Sequence, residues 1–232
     1  EAMSRAIEIT NKAHTAAAKI ISVGVLECEV RAKIESTFVA NGSVRVGFPS
    51  IVASGKNGTT LHYTGSEKML QDGELVVVDI GAEFGLYPAD LTRTFPVSGK
   101  FTERQLQLYN AVLSVQKLAE SLAKPGMFLK NTREPEQSLN CIAKKEFAKH
   151  GLEKYFIHGL GHFVGLDVHD VGDYSIPLKV GDVFTIEPGV YLPEEGVGIR
   201  IEDDYLMTEN GAQRLSESLP REAFEIENMM RN

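Results

Sequence analysis

The chain reads as one α+β domain built from two similar halves. Two observations carry that reading: a helix–helix–strands order that occurs twice along the chain, and no low-complexity or linker segment to divide it. A third is bulk composition. The 232 residues are 43% hydrophobic with charges of both signs dispersed, which suits a water-facing fold with a full-sized core.

Residues 1–21 carry Ile7, Ile9, Ala13, Ala17, Ile20 and Ile21 near helical spacing, and Gly24 ends the pattern. Val30, Ile34, Phe38 and Val39 mark a second helix over 27–40. The segments 46–53 and 74–81 are β-branched and bounded by Gly or Pro, so they read as strands, with 86–97 pairing back as another. Helices return over 102–124, with Leu106, Tyr109, Val112, Val115 and Leu118 on one stripe, and over 135–150. A second strand-rich block covers 156–170, 183–192 and 197–208. Asn41-Gly and Asn57-Gly are turn signals in this context.

Several functional classes fall away on composition. The net charge is −8 with no Lys/Arg-rich block, which argues against nucleic acid or an anionic membrane as partner. No apolar run approaches the roughly 20 residues of a membrane span. The two cysteines, Cys28 and Cys141, suit free thiols in a reducing compartment, and the expected location is the cytoplasm.

The chemistry is concentrated in four segments. Asp79 closes the run Val-Val-Val-Asp79, and Asp90 follows eleven residues on, a spacing that two antiparallel strands and a turn bring together. An ionised carboxylate on a buried strand is costly unless paired or metal-bound. An Asp at a strand end is also a common turn cap. His158, His162 and His169 fall within twelve positions among glycines and apolar residues, far denser than ordinary core or surface histidines. Glu187 and Glu202 each interrupt an apolar strand pattern, and Arg200 lies two residues from Glu202, on the same strand face. One Arg–Glu ion pair would explain Glu202 but not Glu187, Asp79 and Asp90 as well. Four buried carboxylates repel one another, and a cation resolves the conflict. Four carboxylates and a histidine exceed what one tetrahedral Zn²⁺ needs, so the set suggests two bridged divalent ions. Oxygen-rich ligation favours Mn²⁺, with Fe²⁺, Co²⁺ or Zn²⁺ as alternatives.

The series Asp79…Asp90, His158-Gly-Leu-Gly-His162…Val-His169-Asp170, Thr-Ile-Glu187-Pro-Gly and Arg200-Ile-Glu202-Asp resembles the pita-bread (creatinase/aminopeptidase-like) metallopeptidases over about residues 1–230. The resemblance implies a curved, antiparallel-rich sheet with helices outside and two metals within. On that pattern Asp79 binds one ion, Asp90 and Glu202 bridge both, and His162 and Glu187 bind the other. His62, His158 and His169 fall on the substrate side, His62 and His169 also hydrogen-bond the oxyanion, and Arg200 pairs with a ligand carboxylate. Glu187 doubles as the group that takes a proton from a metal-activated water.

His169-Asp170 and Arg200-Ile-Glu202-Asp203 resemble the proline-directed branch, implying release of the first residue from Xaa-Pro peptides. Prolidases of the family carry an Arg in a longer loop before Thr-Ile-Glu, whereas 171–186 here is short, with Lys179 and no Arg. Prolidase and methionine aminopeptidase remain the neighbouring alternatives. Metal-free hydrolases or lyases on the same scaffold replace ligands that this chain retains. A peptide- or protein-binding module without catalysis is the reading from another class. The expectation is a single catalytic domain over 1–232 without the family's N-terminal domain. A peptide with proline second is the expected partner, and a homodimer is compatible.

Overall fold

The computed structural model describes residues 1–231. Helices α1 (Ala2–Ile20) and α2 (Glu27–Ala40) pack together and precede the strands of the first half. Those strands are β1 (Arg45–Val46), β2 (Ile51–Ser54), β3 (Leu75–Ile80), β4 (Ala82–Phe84), β5 (Tyr87–Pro88) and β6 (Leu91–Pro96). The second half repeats the plan with α3 (Glu103–Leu122), α4 (Leu139–Lys149), β7 (Val183–Ile186), β8 (Gly189–Leu192), β9 (Val197–Arg200), β10 (Asp203–Thr208) and β11 (Gly211–Arg214). Helix α5 (Ala223–Arg231) follows.

Local chemistry accounts for the helix starts. At α3, Thr102 accepts from the Gln105 N–H while the Gln105 side chain accepts from the Thr102 N–H, a reciprocal cap. Ser138 caps α4 through the Cys141 N–H, and the Glu29 carboxylate accepts from the Leu26 N–H at 2.7 Å at the head of α2. Ile9, Ala13 and Ala17 of α1 and Val30, Ile34 and Phe38 of α2 join Val76, Val78 and Ile80 of β3 in one core. That core continues through Val112 and Val115 of α3 to Ile186 and Ile199.

Every strand pairing is antiparallel. β3 is central in β2–β3–β6, with Asp79 opposite Ile51 on one side and Thr92 on the other. β10 lies between β7 and β11, β8 pairs with β9, and β4 lies between β1 and β5. Thr92 and Glu202 form an isolated antiparallel bridge that ties the first-half sheet to the second.

Three expected strands differ. The segment 46–53 is interrupted at Gly47–Ser50, where Gly47 N–H turns to the Gly81 carbonyl and Pro49 has no N–H to give. The segment 86–97 splits at Ala89–Asp90. There the Ala89 carbonyl lies so close to Gly81 that a Cβ on Gly81 would come within 1.8 Å of it, and the Asp90 N–H bonds the Asp204 carboxylate instead of a strand. The segment 156–170 holds no strand beyond one bridge, Phe163 to Phe184. It folds back on itself through Gly165 N–H to Asp167 and Asp170 N–H to Phe163, and Gly165 permits the close approach, since a Cβ there would fall 1.6 Å from Asp170 Oδ2. β11 and α5 are additions, the first a polar strand and the second a helix of nine residues.

Candidate metal centre

Asp79, Asp90, Glu187, Glu202, His62, His158, His162, His169 and Arg200 all line one cavity of about 720 Å³. Residues separated by up to 140 positions therefore converge on one cleft. Asp79 arrives on β3, Asp90 just before β6, Glu187 just after β7 and Glu202 between β9 and β10. His162 is held against β7: its N–H reaches the Thr185 hydroxyl at 3.2 Å, and its carbonyl accepts the Thr185 N–H at 2.8 Å. Gly161 is required there, since an added Cβ would fall 2.0 Å from the Thr185 carbonyl oxygen.

The acidic groups are crowded and dry. Asp79, Asp90 and Glu202 are 7%, 5% and 2% exposed. Burial, and then the charge of Asp79, pushes Asp90 well above the ordinary carboxylate range. Burial, and then Asp90, does the same to Glu202. Burial raises Glu187 to about 7 despite the attraction of His162. Asp79 Oδ2 accepts from Arg200 Nη2 at 2.7 Å, yet its buried Oδ1 has no hydrogen-bond partner. Carboxylate oxygens crowded without donors are costly in a protein interior, and the arrangement fits a cation.

Two donor triads define two neighbouring positions. Oxygens of Asp79, Asp90 and Glu202 lie within 4.8 Å of one another, and so do atoms of His162, Glu187 and Glu202. His162 Nδ1 lies 3.1 Å from the Phe163 carbonyl, which leaves Nε2 on the side of the carboxylates. From there Nε2 is 3.3 Å from Asp90 Oδ2 and 3.6 Å from Glu187 Oε1. His169 belongs to this neighbourhood too, in a third triad with Asp90 and His162. Its imidazole is biased to the neutral form by burial and by His162.

The remaining residues are wired together. Arg200 Nη1 donates to Tyr191 Oη at 2.6 Å, and that hydroxyl donates to His158 Nε2 at 2.9 Å. His158 Nδ1 donates in turn to the Gly159 carbonyl at 2.7 Å. Burial, assisted by Arg200, lowers the His158 pKa to about 4, so both nitrogens are committed to a neutral ring. His158 Nδ1 is nonetheless 3.7 Å from Glu187 Oε2. His62 faces His169 across the cleft, ring centroids 6.4 Å apart. Arg200 bonds Asp79, not its strand neighbour Glu202, whose Oε2 accepts from Thr92 Oγ1 at 2.6 Å.

Sequence reasoning missed Tyr191, Thr92, Arg93 and Asp204. Thr92 had a signal, since it sits two residues past Asp90 and so shares its strand face. Arg93 is fully buried and uses every N–H. It donates to the carbonyls of Thr92, Glu202, Leu219 and Pro220 and to Asp203 Oδ1 at 2.7 Å. Asp204 holds the Asp90 N–H at 3.1 Å.

A carboxylate-rich site with one inward histidine, on paired helix–sheet halves, defines a class of site suited to divalent metal ions. Residues 1–209 match the model of metallopeptidase family M24, and the chain belongs to that family. It is 38% identical over 98% of its length to an Xaa-Pro aminopeptidase of Haemophilus influenzae, and 43% identical over 94% to an Xaa-Pro dipeptidase of Pyrococcus furiosus. The zinc-substituted aminopeptidase P of Escherichia coli in complex with product superposes with a TM-score of 0.89 at 36% identity over 99% of the chain. That likeness bears out the pita-bread fold. The chain spans 58%, 61% and 57% of the lengths of these three.

The buried carboxylates make a stability prediction. The folded pKa values of Asp90, Glu187 and Glu202 lie above the unfolded ones, so without metal the folded form binds more protons, and stability is lost as pH rises from about 4.5 through about 7. The thermal midpoint of EDTA-stripped protein should therefore fall by about 5 °C over that interval, and Mn²⁺ should raise it more at the upper pH than at the lower. A midpoint flat with pH, or a metal effect equal at both ends, would contradict the unbalanced charge of the cluster.

Proposed function

We propose that the chain is the catalytic unit of a metal-dependent aminopeptidase that releases the first residue from peptides with proline in second position. The observation that carries the proposal is the convergence of Asp79, Asp90, His162, Glu187 and Glu202 in one cleft, with Asp79 Oδ1 unpartnered. Family membership and the Xaa-Pro specificity in the names of both relatives support it. Asp79, Asp90 and Glu202 would hold one divalent ion, and His162, Glu187 and Glu202 the other, with Asp90 beside both. Mn²⁺ suits this oxygen-rich set best. When bound, such ions act as Lewis acids and lower the pKa of water near neutrality.

The chain's own groups do the rest. Glu187, within 3.7 Å of both His158 and His162, is placed to take a proton from the attacking water and pass it to the proline nitrogen. His62 and His169 stand where they can donate to the scissile carbonyl oxygen or orient the peptide backbone. His158 and Tyr191 hold Arg200, and Arg200 holds Asp79 in orientation. Phe48, Leu61 and Val168 supply apolar wall for the proline ring.

A reducing compartment suits the unpaired thiols of Cys28 and Cys141, and among the described residues no helix is long and apolar enough to cross a membrane. The test is release of the N-terminal residue from an Xaa-Pro-Yaa tripeptide by stripped and Mn²⁺-loaded protein. An Xaa-Pro dipeptide and a Met-Ala-Yaa tripeptide run beside it. Metal-dependent cleavage of the first alone is expected. Cleavage of only the dipeptide would make it a prolidase, of only the Met peptide a methionine aminopeptidase, and of none with metal bound a binding module.

A further inference from the structure

A second cavity, of about 660 Å³, adjoins the cleft and shares Gly159, Gly161 and Tyr174 with it. Gly159 leaves the junction open, since a Cβ added there would meet only the Gly161 carbonyl oxygen, at 3.9 Å. The far wall is the segment 130–134, which carries Lys130, Arg133 and Glu134. This segment is anchored. Asn131 N–H bonds Ser138 Oγ at 3.0 Å, Arg133 N–H bonds Asn131 Oδ1 at 2.9 Å, and Phe128 and Gln137 close its base through a 2.8 Å backbone bond.

Its charges are not balanced. Glu136, just beyond, is paired with Lys145, whereas among the described residues the side chains of Lys130 and Arg133 have no carboxylate partner. Glu134 is the single carboxylate on this wall, so two cations face one anion. In an otherwise acidic chain of net charge −8, an unpaired cationic wall opening into the cleft is a local reversal of sign.

We propose that this cavity is a carboxylate subsite of the peptide-binding cleft, in which Lys130 and Arg133 select peptides with an acidic group in reach. The proposal rests on the peptidase reading above. Two carboxylates meet the description: the side chain of an acidic first residue, and the C-terminus of a short peptide. Lys130 and Arg133 are exposed, and exposed pairs are weak and screened, so the preference is about three- to tenfold in kcat/KM and sensitive to salt.

The experiment compares Mn²⁺-loaded protein on Gln-Pro-Ala-amide, Glu-Pro-Ala-amide and Gln-Pro-Ala with a free C-terminus, at low and high salt. The expected result is a three- to tenfold advantage for at least one carboxylate-bearing peptide, which shrinks with salt and collapses to about one in the Lys130→Ser/Arg133→Ser double variant. An advantage for the Glu peptide locates the first-residue side chain in the cavity, and one for the free acid locates the C-terminus there. Ratios within twofold in the unaltered protein overturn the subsite, as does a preference that survives the double variant. Turnover of the neutral amide without preference removes the subsite alone, while no turnover of any of the three removes the peptidase reading together with it.

Discussion

Replacing Glu187 with Gln should lower kcat on an Xaa-Pro-Yaa peptide by about 10²–10⁴-fold, the usual worth of a positioned proton carrier. The amide keeps the size of the carboxyl and can still offer an oxygen to a metal. What it loses is the ability to accept and release a proton at a position beside His158 and His162. Metal content by atomic absorption must be measured in parallel, because Glu187 also stands in the triad with His162 and Glu202. A variant that holds its metal and turns over near the wild-type rate would rule out the shuttle. One that loses an ion would show that its ligand role dominates.

The second large effect is on stability. Arg93→Met should cost about 3–5 kcal/mol in urea unfolding of the metal-loaded protein. Four backbone carbonyls lose donors at once, and fully buried Asp203 loses its guanidinium. Burial would raise the Asp203 pKa, but Arg93 and Arg214 outweigh it and hold the carboxyl below its usual value, so in the variant an ionised group stays buried with weaker support. Arg93→Lys should recover only part of the loss, since an ammonium cannot span the carbonyls of Thr92, Glu202 and Pro220 as a planar fork does. A drop below about 1 kcal/mol for Arg93→Met would mean that Gln116 and Ser216, which also bond Asp203, suffice to hold it.

Much of this was legible in the chain itself, and the boundary is instructive. Helices α1, α2 and α3 carry helical spacing strong enough to read directly, and β3 is a β-branched run bounded by glycines. The acidic cluster was legible because carboxylates inside apolar strands are anomalous wherever they occur. The stretch 156–170 was not, since Gly-His-Phe-Val-Gly suits turns and strands equally, and the decision falls to distant partners. Leu160 N–H bonds Asn140 Oδ1, and Gly161 nests on Thr185. Arg93 and Tyr191 escaped notice for a related reason. Each looks ordinary along its own strand, and its significance lies in carbonyls and rings more than a hundred positions away for Arg93 and thirty-three for the Tyr191–His158 pair. The grouping of His169 with Asp90 and His162 is likewise a product of three dimensions.

The Thr92–Glu202 bridge makes the two halves of the site one unit of stability. Thr92 N–H and Glu202 N–H each meet the other's carbonyl, so Asp79 and Asp90 of the first half stand beside Glu202 only while both halves are folded and docked. Opening at this seam admits water to the acidic cluster, and cluster and seam are expected to be lost together.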